Sequence, residues 1–324
     1  MATFEERIDP ELVPGLEVYR MLGFTEPRLE GDVISVMREK LAELRAFAGT
    51  QMPPNDRVTR SDHLASGPEG ARDVPVRLYR PAGATGPLPC LVWIHGGGMI
   101  IGDIDGDDFT CDALAEAVGC LVISVGYRLA PEHPHPAPVE DCFAALRWAA
   151  ASATELGLDP ARIAVGGGSA GAGLAAGTAL LARDRQGLAL VFQLLVYPML
   201  DDRNITPSSR EFSGVLSWSR EHNLSGWSAL LGDAAGGEGV SIYAAPARAT
   251  DLSGLPPALI QVGELDLFRD EDIDYATRLL QAGVSTELEV YPGAYHGFDN
   301  LNPESSASQR AIATRVHALK RAFA

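Results

Sequence analysis

Val165-Gly166-Gly167-Gly168-Ser169-Ala170-Gly171 sets a single serine among glycines. It follows the apolar run Arg162-Ile163-Ala164-Val165 and precedes a small-residue helical run from Ala172 to Ala182. A serine held on a sharp strand-to-helix turn sits in a strained backbone conformation, so the positions two before and two after it have to be tiny. Gly167 and Gly171 occupy them. Glycine-rich turns between strand and helix also bind phosphate or simply reverse the chain, so the rest of the sequence has to decide what this serine does.

Outward from that turn the chain alternates short strands with helices. Cys90-Leu91-Val92-Trp93-Ile94 and Leu121-Val122-Ile123-Ser124-Val125 are nearly continuous apolar runs, as expected of strands buried on both faces. Further strands are predicted at 74–79, 163–165, 191–196, 258–262 and 287–291, with helices at about 107–118, 138–155, 170–184, 270–282 and 305–323. This order predicts an α/β fold, a mostly parallel sheet flanked by helices. The first 50 residues read as helical. Asp32 is a plausible N-cap, Val33, Val36, Met37, Leu41, Leu44 and Phe47 follow at helical spacing, and Gly49 can end the helix. The stretch 199–250 breaks the rhythm and reads as an insertion packed with the N-terminal helices over one end of the sheet.

In open parallel sheets ligands bind at the carboxyl ends of the strands. Ile94 is followed there by His95-Gly96-Gly97-Gly98, Val165 by Ser169, Val262 by Gly263-Glu264-Leu265-Asp266, and Tyr291 by Pro292-Gly293-Ala294-Tyr295-His296. A serine hydroxyl needs a base, which His296 can be, and the base needs a carboxylate to fix its tautomer, which Asp266 can be. Glu264, Asp270 and Glu271 are rival carboxylates, and His95 reads better as an architectural hydrogen-bonder than as a base. Backbone N–H groups of Gly97, Gly98 and Ala170 would face an oxyanion. The glycine loop carries no Lys or Arg, which argues against phosphate. Met99, Ile100, Tyr197, Phe212, Trp218 and Trp227 are candidates for lining a substrate pocket.

With His95-Gly96-Gly97-Gly98, Tyr127-Arg128-Leu129-Ala130-Pro131-Glu132-His133-Pro134, the Ser169 turn, Asp266 and His296-Gly297-Phe298, the chain resembles the hormone-sensitive-lipase-like (family IV) bacterial carboxylesterases of the α/β-hydrolase fold. The resemblance implies an eight-stranded, mostly parallel sheet with a helical cap. Residues 1–52 and 199–250 would form the cap, and 53–198 and 251–324 the two parts of the catalytic core. It also implies hydrolysis of short-to-medium acyl esters through Ser169, His296 and Asp266, with no cofactor, and a homodimer as the common assembly. Amidase, lactonase or acyltransferase chemistry would use the same three residues. A non-catalytic receptor on this fold is expected to have lost one of them. Three positions depart from the family pattern: Gly168 where Asp, Thr or Glu is usual, Gly126 where Asp is frequent, and Met99 where an aromatic is common.

The formal net charge of −17 over 324 residues argues against nucleic acid or an anionic membrane as partner. Cys90, Cys111, Cys120 and Cys142 form no Cys-x-x-Cys pair and are expected to be free thiols. His133 and His135, fenced by prolines, read as a stiff turn rather than metal ligands, and no metal is expected. The charged N-terminus and the absence of a long apolar run lead to the expectation of a cytoplasmic protein.

Overall fold

The computed structural model describes residues 3–51, 55–185 and 187–324. Eight strands form one sheet: β1 (Val58–Ala65), β2 (Val74–Pro81), β3 (Leu88–Ile94), β4 (Leu121–Val125), β5 (Leu158–Gly168), β6 (Phe192–Val196), β7 (Ala258–Leu265) and β8 (Thr286–Tyr295). Their order is β1-β2-β4-β3-β5-β6-β7-β8. β2 runs antiparallel to both its neighbours and every other pairing is parallel. Twelve α-helices accompany them among the described residues: α1 (Phe4–Arg7), α2 (Leu16–Leu22), α3 (Asp32–Gln51), α4 (Asp108–Val118), α5 (Ala137–Ala151), α6 (Ala153–Leu156), α7 (Ala170–Asp184), α8 (Pro207–Glu211), α9 (Arg220–Leu231), α10 (Arg269–Gln281), α11 (Phe298–Leu301) and α12 (Ser306–Phe323).

Alternation along the central strands divides the core in two. Val92, Ile94, Ile123, Val165 and Ile260 face α5, α7 and α10, whereas Leu91, Trp93, Val122, Leu194 and Val196 face α4 and α12. Parallel strands need crossover helices on both faces, so β3, β4, β6 and β7 are apolar along almost their whole length.

Several boundaries differ from the sequence expectation. β1 carries Thr-Arg-Ser-Asp-His on an exposed edge, paired only to β2, and has no apolar alternation to announce it. β5 extends beyond 163–165 in both directions. The expected helix 138–155 is broken at Ser152 into α5 and α6. Gly49 does not end α3, which starts at Asp32 and continues to Gln51; the Phe47 side chain lies outside the described residues.

The N-terminal helices and the 199–250 stretch pack on each other at the carboxyl ends of the strands. Phe4 meets Phe212 edge-on at 6.0 Å between ring centroids, and Phe24 meets Trp218 at 6.0 Å. The Leu29 N–H donates to Ser225 Oγ (3.1 Å), and His222 Nε2 lies 2.8 Å from the Glu26 carbonyl. Glu271, at the start of α10, accepts the N–H groups of Leu200 (2.8 Å) and Asp201 (3.1 Å), which fixes where the 199–250 stretch leaves the sheet.

Asp272, next to it, is fully buried, and neither of its carboxyl oxygens has a hydrogen-bond partner. Burial above all, then the neighbouring Glu271 and Asp266, pushes its carboxyl well above the usual range. A raised folded-state value costs nothing at acid pH, where the unfolded chain is protonated too. The cost grows as pH rises past the ordinary carboxylate value and the unfolded chain ionises first. Asp272→Asn is therefore expected to gain in Tm relative to the parent by about 3 °C or more between pH 4.5 and pH 8. Calorimetry at the two pH values checks this, and a difference independent of pH would contradict it.

Candidate active site

The turn between β5 and α7 puts Ser169 at φ 57°, ψ −123°. A non-glycine residue there stores about 1–3 kcal/mol of strain, so its surroundings must hold it. Ser169 N–H donates to the Val196 carbonyl at the end of β6 (2.8 Å), and the Ser169 carbonyl accepts the N–H groups of Gly173 (3.0 Å) and Met199 (3.1 Å). The turn also lies against the end of β3. A Cβ on Gly171 would collide with the carbonyl oxygens of Ile94 and His95, so glycine is obligatory there. At Gly168, by contrast, a Cβ would meet only the Tyr197 ring, at an ordinary 3.7 Å.

His296, two residues before α11, brings its Nε2 to 2.8 Å from Ser169 Oγ and its Nδ1 to 2.7 Å from Asp266 Oδ2. Asp266 Oδ1 accepts the Phe268 N–H (3.0 Å), which orients the carboxylate. With Asp266 accepting from Nδ1–H, Nε2 is left as the atom that can take the serine proton. All three side chains are buried, and aromatic rings surround the imidazole: Tyr197 at 4.7 Å, Phe268 at 5.1 Å and Trp218 at 6.5 Å between centroids. The rival carboxylates are engaged elsewhere. Glu264 Oε2 accepts the Gly293 N–H with its side chain 45% exposed, Asp270 accepts the Ser208 N–H and pairs with Arg269, and Glu271 holds Leu200 and Asp201.

Gly97 and Gly98 border the same space. Gly98 has φ +60°, and a Cβ there would lie 2.7 Å from Cζ2 of Trp218, so the indole rests directly on the loop backbone. Ala170 opens α7, where no carbonyl of the same helix can accept its N–H. His95 is architectural, as its position suggested: its ring stacks on Tyr127 at 4.2 Å, and its carbonyl accepts the Tyr127 hydroxyl (2.9 Å). The Tyr127–Pro134 segment buttresses the glycine loop. Ala130 N–H donates to the Met99 carbonyl (2.9 Å), and Asp141 grips Arg128 through both carboxylate oxygens (2.8 and 2.7 Å). Arg38 of α3 completes the buttress, donating to the carbonyls of Ile100 (2.8 Å) and Ala130 (3.0 Å) and pairing with Glu132 (2.6 Å). Its guanidinium holds the Glu132 carboxyl down at about 2.

A cavity of ≈ 220 Å³ opens onto Ser169 and His296. Of the pocket candidates, Tyr197 and Trp218 line it. Met99 and Ile100 do not: they point into the core beneath the loop. Nor do Phe212, which packs between Phe4, Arg7 and Arg269, and Trp227, which is wholly buried. The apolar wall comes instead from Tyr19, Leu22, Phe24 and Leu41 of the N-terminal segment. Nothing local in the sequence marks these residues, because the cavity they wall is completed by distant segments: the glycine loop, Trp218 and His296. No group of His, Cys, Asp or Glu among the described residues could hold a metal, all four cysteines are buried and free, and no described helix is long and apolar enough to cross a membrane.

Known proteins are similar to this chain over nearly its whole length. The family described as alpha/beta hydrolase fold matches residues 91–300. Carboxylesterase NlhH of Mycobacterium tuberculosis is 39% identical over 98% of this chain and 96% of its own. A bacterial heroin esterase superposes with a TM-score of 0.92 at 42% identity, over 99% of this chain and 100% of its own. Esterase LipW from Mycobacterium marinum superposes with a TM-score of 0.86 at 42% identity, over 98% and 96%.

One contact ties the N-terminal helices to the imidazole. The Tyr19 hydroxyl of α2 donates to the His296 carbonyl at 2.7 Å, with both residues buried. Burial pushes the Tyr19 hydroxyl far above its ordinary value, so it stays a donor. Tyr19→Phe removes that bond and keeps the ring. The rate at which a fluorophosphonate labels Ser169, read by mass spectrometry, is expected to fall about three- to tenfold, the worth of one buried hydrogen bond. An unchanged labelling rate would show that the contact does not position the base.

Proposed function

The chain belongs to the hormone-sensitive-lipase-like bacterial carboxylesterases of the α/β-hydrolase fold, and on that premise we propose that it hydrolyses short-to-medium acyl esters through Ser169, His296 and Asp266 by way of an acyl-enzyme. The observation that carries this reading is the single imidazole within hydrogen-bond reach of both a strained, cavity-facing serine and a buried carboxylate.

His296 Nε2 takes the Ser169 proton as Oγ attacks the ester carbonyl. Asp266 keeps Nδ1 protonated and stabilises the imidazolium that forms. The carbonyl oxygen becomes an oxyanion facing the N–H groups of Gly97, Gly98 and Ala170. These need no reorganisation, because the loop is already held by Arg38, Ala130 and Trp218. Collapse of the tetrahedral intermediate expels the alcohol, which His296 protonates. Water, deprotonated by the same nitrogen, then releases the acid and restores Ser169. The aromatic enclosure of His296 keeps bulk water from competing for these hydrogen bonds.

The size of the cavity supports short substrates. At ≈ 220 Å³ it lies below the ~300–1,000 Å³ typical of sites for drug-sized ligands. Along p-nitrophenyl esters from acetate to palmitate, kcat/KM is expected to peak among the short chains, and a maximum at palmitate would contradict this. On p-nitrophenyl butyrate, Ser169→Ala is expected to lower kcat by about 10⁴-fold or more, and Asp266→Asn by about 10²–10⁴-fold. Glu264→Gln should leave it within about twofold. Full activity in Ser169→Ala would sink the assignment, and a larger loss in Glu264→Gln than in Asp266→Asn would reassign the carboxylate.

A further inference from the structure

Gly168 is the last residue of β5 and pairs in register with Val196 at the end of β6. Two positions earlier, a Cβ on Gly166 would lie against Leu194 and Leu91, which belong to the core layer facing α4 and α12. Alternation along the strand turns the missing side chain of Gly168 to that same face, where Trp93, Val196 and Tyr197 line the cavity. Gly168 differs from its neighbours in being open. Gly166, Gly167 and Ala170 are buried, whereas Gly168 is partly exposed and borders the cavity. Beyond the adjoining residues, a Cβ there would meet only Cε2 of Tyr197, at 3.7 Å. Its φ lies outside the left-handed region, so the backbone itself does not demand glycine.

The reaction has a direction at this point. His296 Nε2 protonates the departing alcohol, so the alcohol part of an ester has to lie on the imidazole side of Ser169, with the oxyanion toward Gly97 and Gly98. Tyr197 is the one ring a side chain at 168 would touch, and it packs edge-on against that imidazole at 4.7 Å between centroids. The space beside Gly168 and Tyr197 therefore adjoins the first carbon of the alcohol rather than the acyl chain. Its surroundings are apolar. Trp93, Val196 and the Tyr197 ring form them, and the Tyr197 hydroxyl is taken up by Asp299 (3.0 Å).

We propose that Gly168 is a specificity-determining residue: the space it leaves open takes an alkyl branch on the carbinol carbon of the substrate. Esters of secondary alcohols are then substrates alongside esters of primary ones. The inference rests on the ester-hydrolase reading and names the alcohol class for it. A side chain at 168 would stand where the branch has to go, and overfilling a packed space is costly for whichever group arrives last. A primary alcohol has no branch to place there, so the same side chain would hinder it far less.

Two pairs of isomers test this: pentan-3-yl butyrate against pentyl butyrate for the alcohol part, and p-nitrophenyl 2-methylbutanoate against p-nitrophenyl pentanoate for the acyl part. In the parent enzyme kcat/KM for pentan-3-yl butyrate is expected within about tenfold of that for pentyl butyrate. In Gly168→Val the branched-to-linear ratio of the alcohol pair is expected to fall by about a further tenfold or more, while that of the acyl pair stays within about twofold of the parent's. Gly168→Ala, which adds one methyl group, is expected to fall between parent and valine variant, and it keeps the test readable should the valine variant not fold. Each ratio is taken within one protein, so loss of active enzyme cancels. An alcohol ratio unchanged in both variants, or an acyl ratio that falls as far, would overturn the proposal. So would a parent that hydrolyses pentyl but not pentan-3-yl butyrate. Failure of the esterase reading is distinguishable, because pentyl butyrate would then not be hydrolysed, or Ser169→Ala would hydrolyse it as fast as the parent.

Discussion

The close approach of the β5–α7 turn to the end of β3 is the constraint on which the reactive part of this molecule depends. Gly171 lies so near the carbonyls of Ile94 and His95 that no side chain fits between them, and Gly96 lies so near the Gly168 carbonyl that a Cβ there would stand 2.9 Å away. The serine turn and the glycine loop are thus one packed unit. The strained conformation of Ser169 persists because Val196 and Met199, at the end of β6 and just after it, and Gly173, in the first turn of α7, hydrogen-bond to it. Preorganisation of nucleophile and oxyanion donors follows from that unit, since neither can shift without displacing the other.

A second layer of contacts, long-range in sequence, converts this rigid edge into an enclosed site. Tyr19 reaches the carbonyl of His296, Arg38 grips the carbonyls of Ile100 and Ala130, and Trp218 lies on Gly98. Trp218 is itself oriented by Asn223, whose amide donates to Asn204 Oδ1 (2.6 Å). The helices over the strand ends therefore do more than cover the cavity. They supply its apolar wall and fasten both the base and the glycine loop.

The sheet and the Ser169–His296–Asp266 contacts were legible in the sequence for one reason. Strands buried on both faces are apolar throughout, and in a parallel sheet their carboxyl ends fall on one edge, so residues after Ile94, Val165, Val262 and Tyr291 had to be neighbours. What was not legible depends on packing between distant segments. Met99, Ile100, Phe212 and Trp227 are of the right type for a pocket, yet side-chain type does not tell which way a residue points once a loop has turned; Met99 sits at φ 64°, and its side chain drops into the core. β1 escaped because an exposed edge strand needs no apolar alternation. Gly49 failed as a stop because an isolated glycine costs a helix only about 1 kcal/mol.

Gly168 shows how glycines in one motif can differ in kind. At Gly167 a Cβ would stand 2.5 Å from the Ile94 carbonyl oxygen, and Gly171 is equally enclosed by backbone, so the fold itself demands glycine at both. Gly168 lies between Gly167 and the nucleophile but faces open space, and its backbone conformation is one that any residue adopts. Glycine there gives the fold nothing that alanine would not, and it adds conformational entropy to the unfolded chain. The benefit has to be sought in what the missing side chain leaves open, which is cavity space beside Ser169 and Tyr197. In a motif where every glycine looks alike in sequence, distance to the nearest backbone atom separates the ones that build the turn from the one that shapes the cavity.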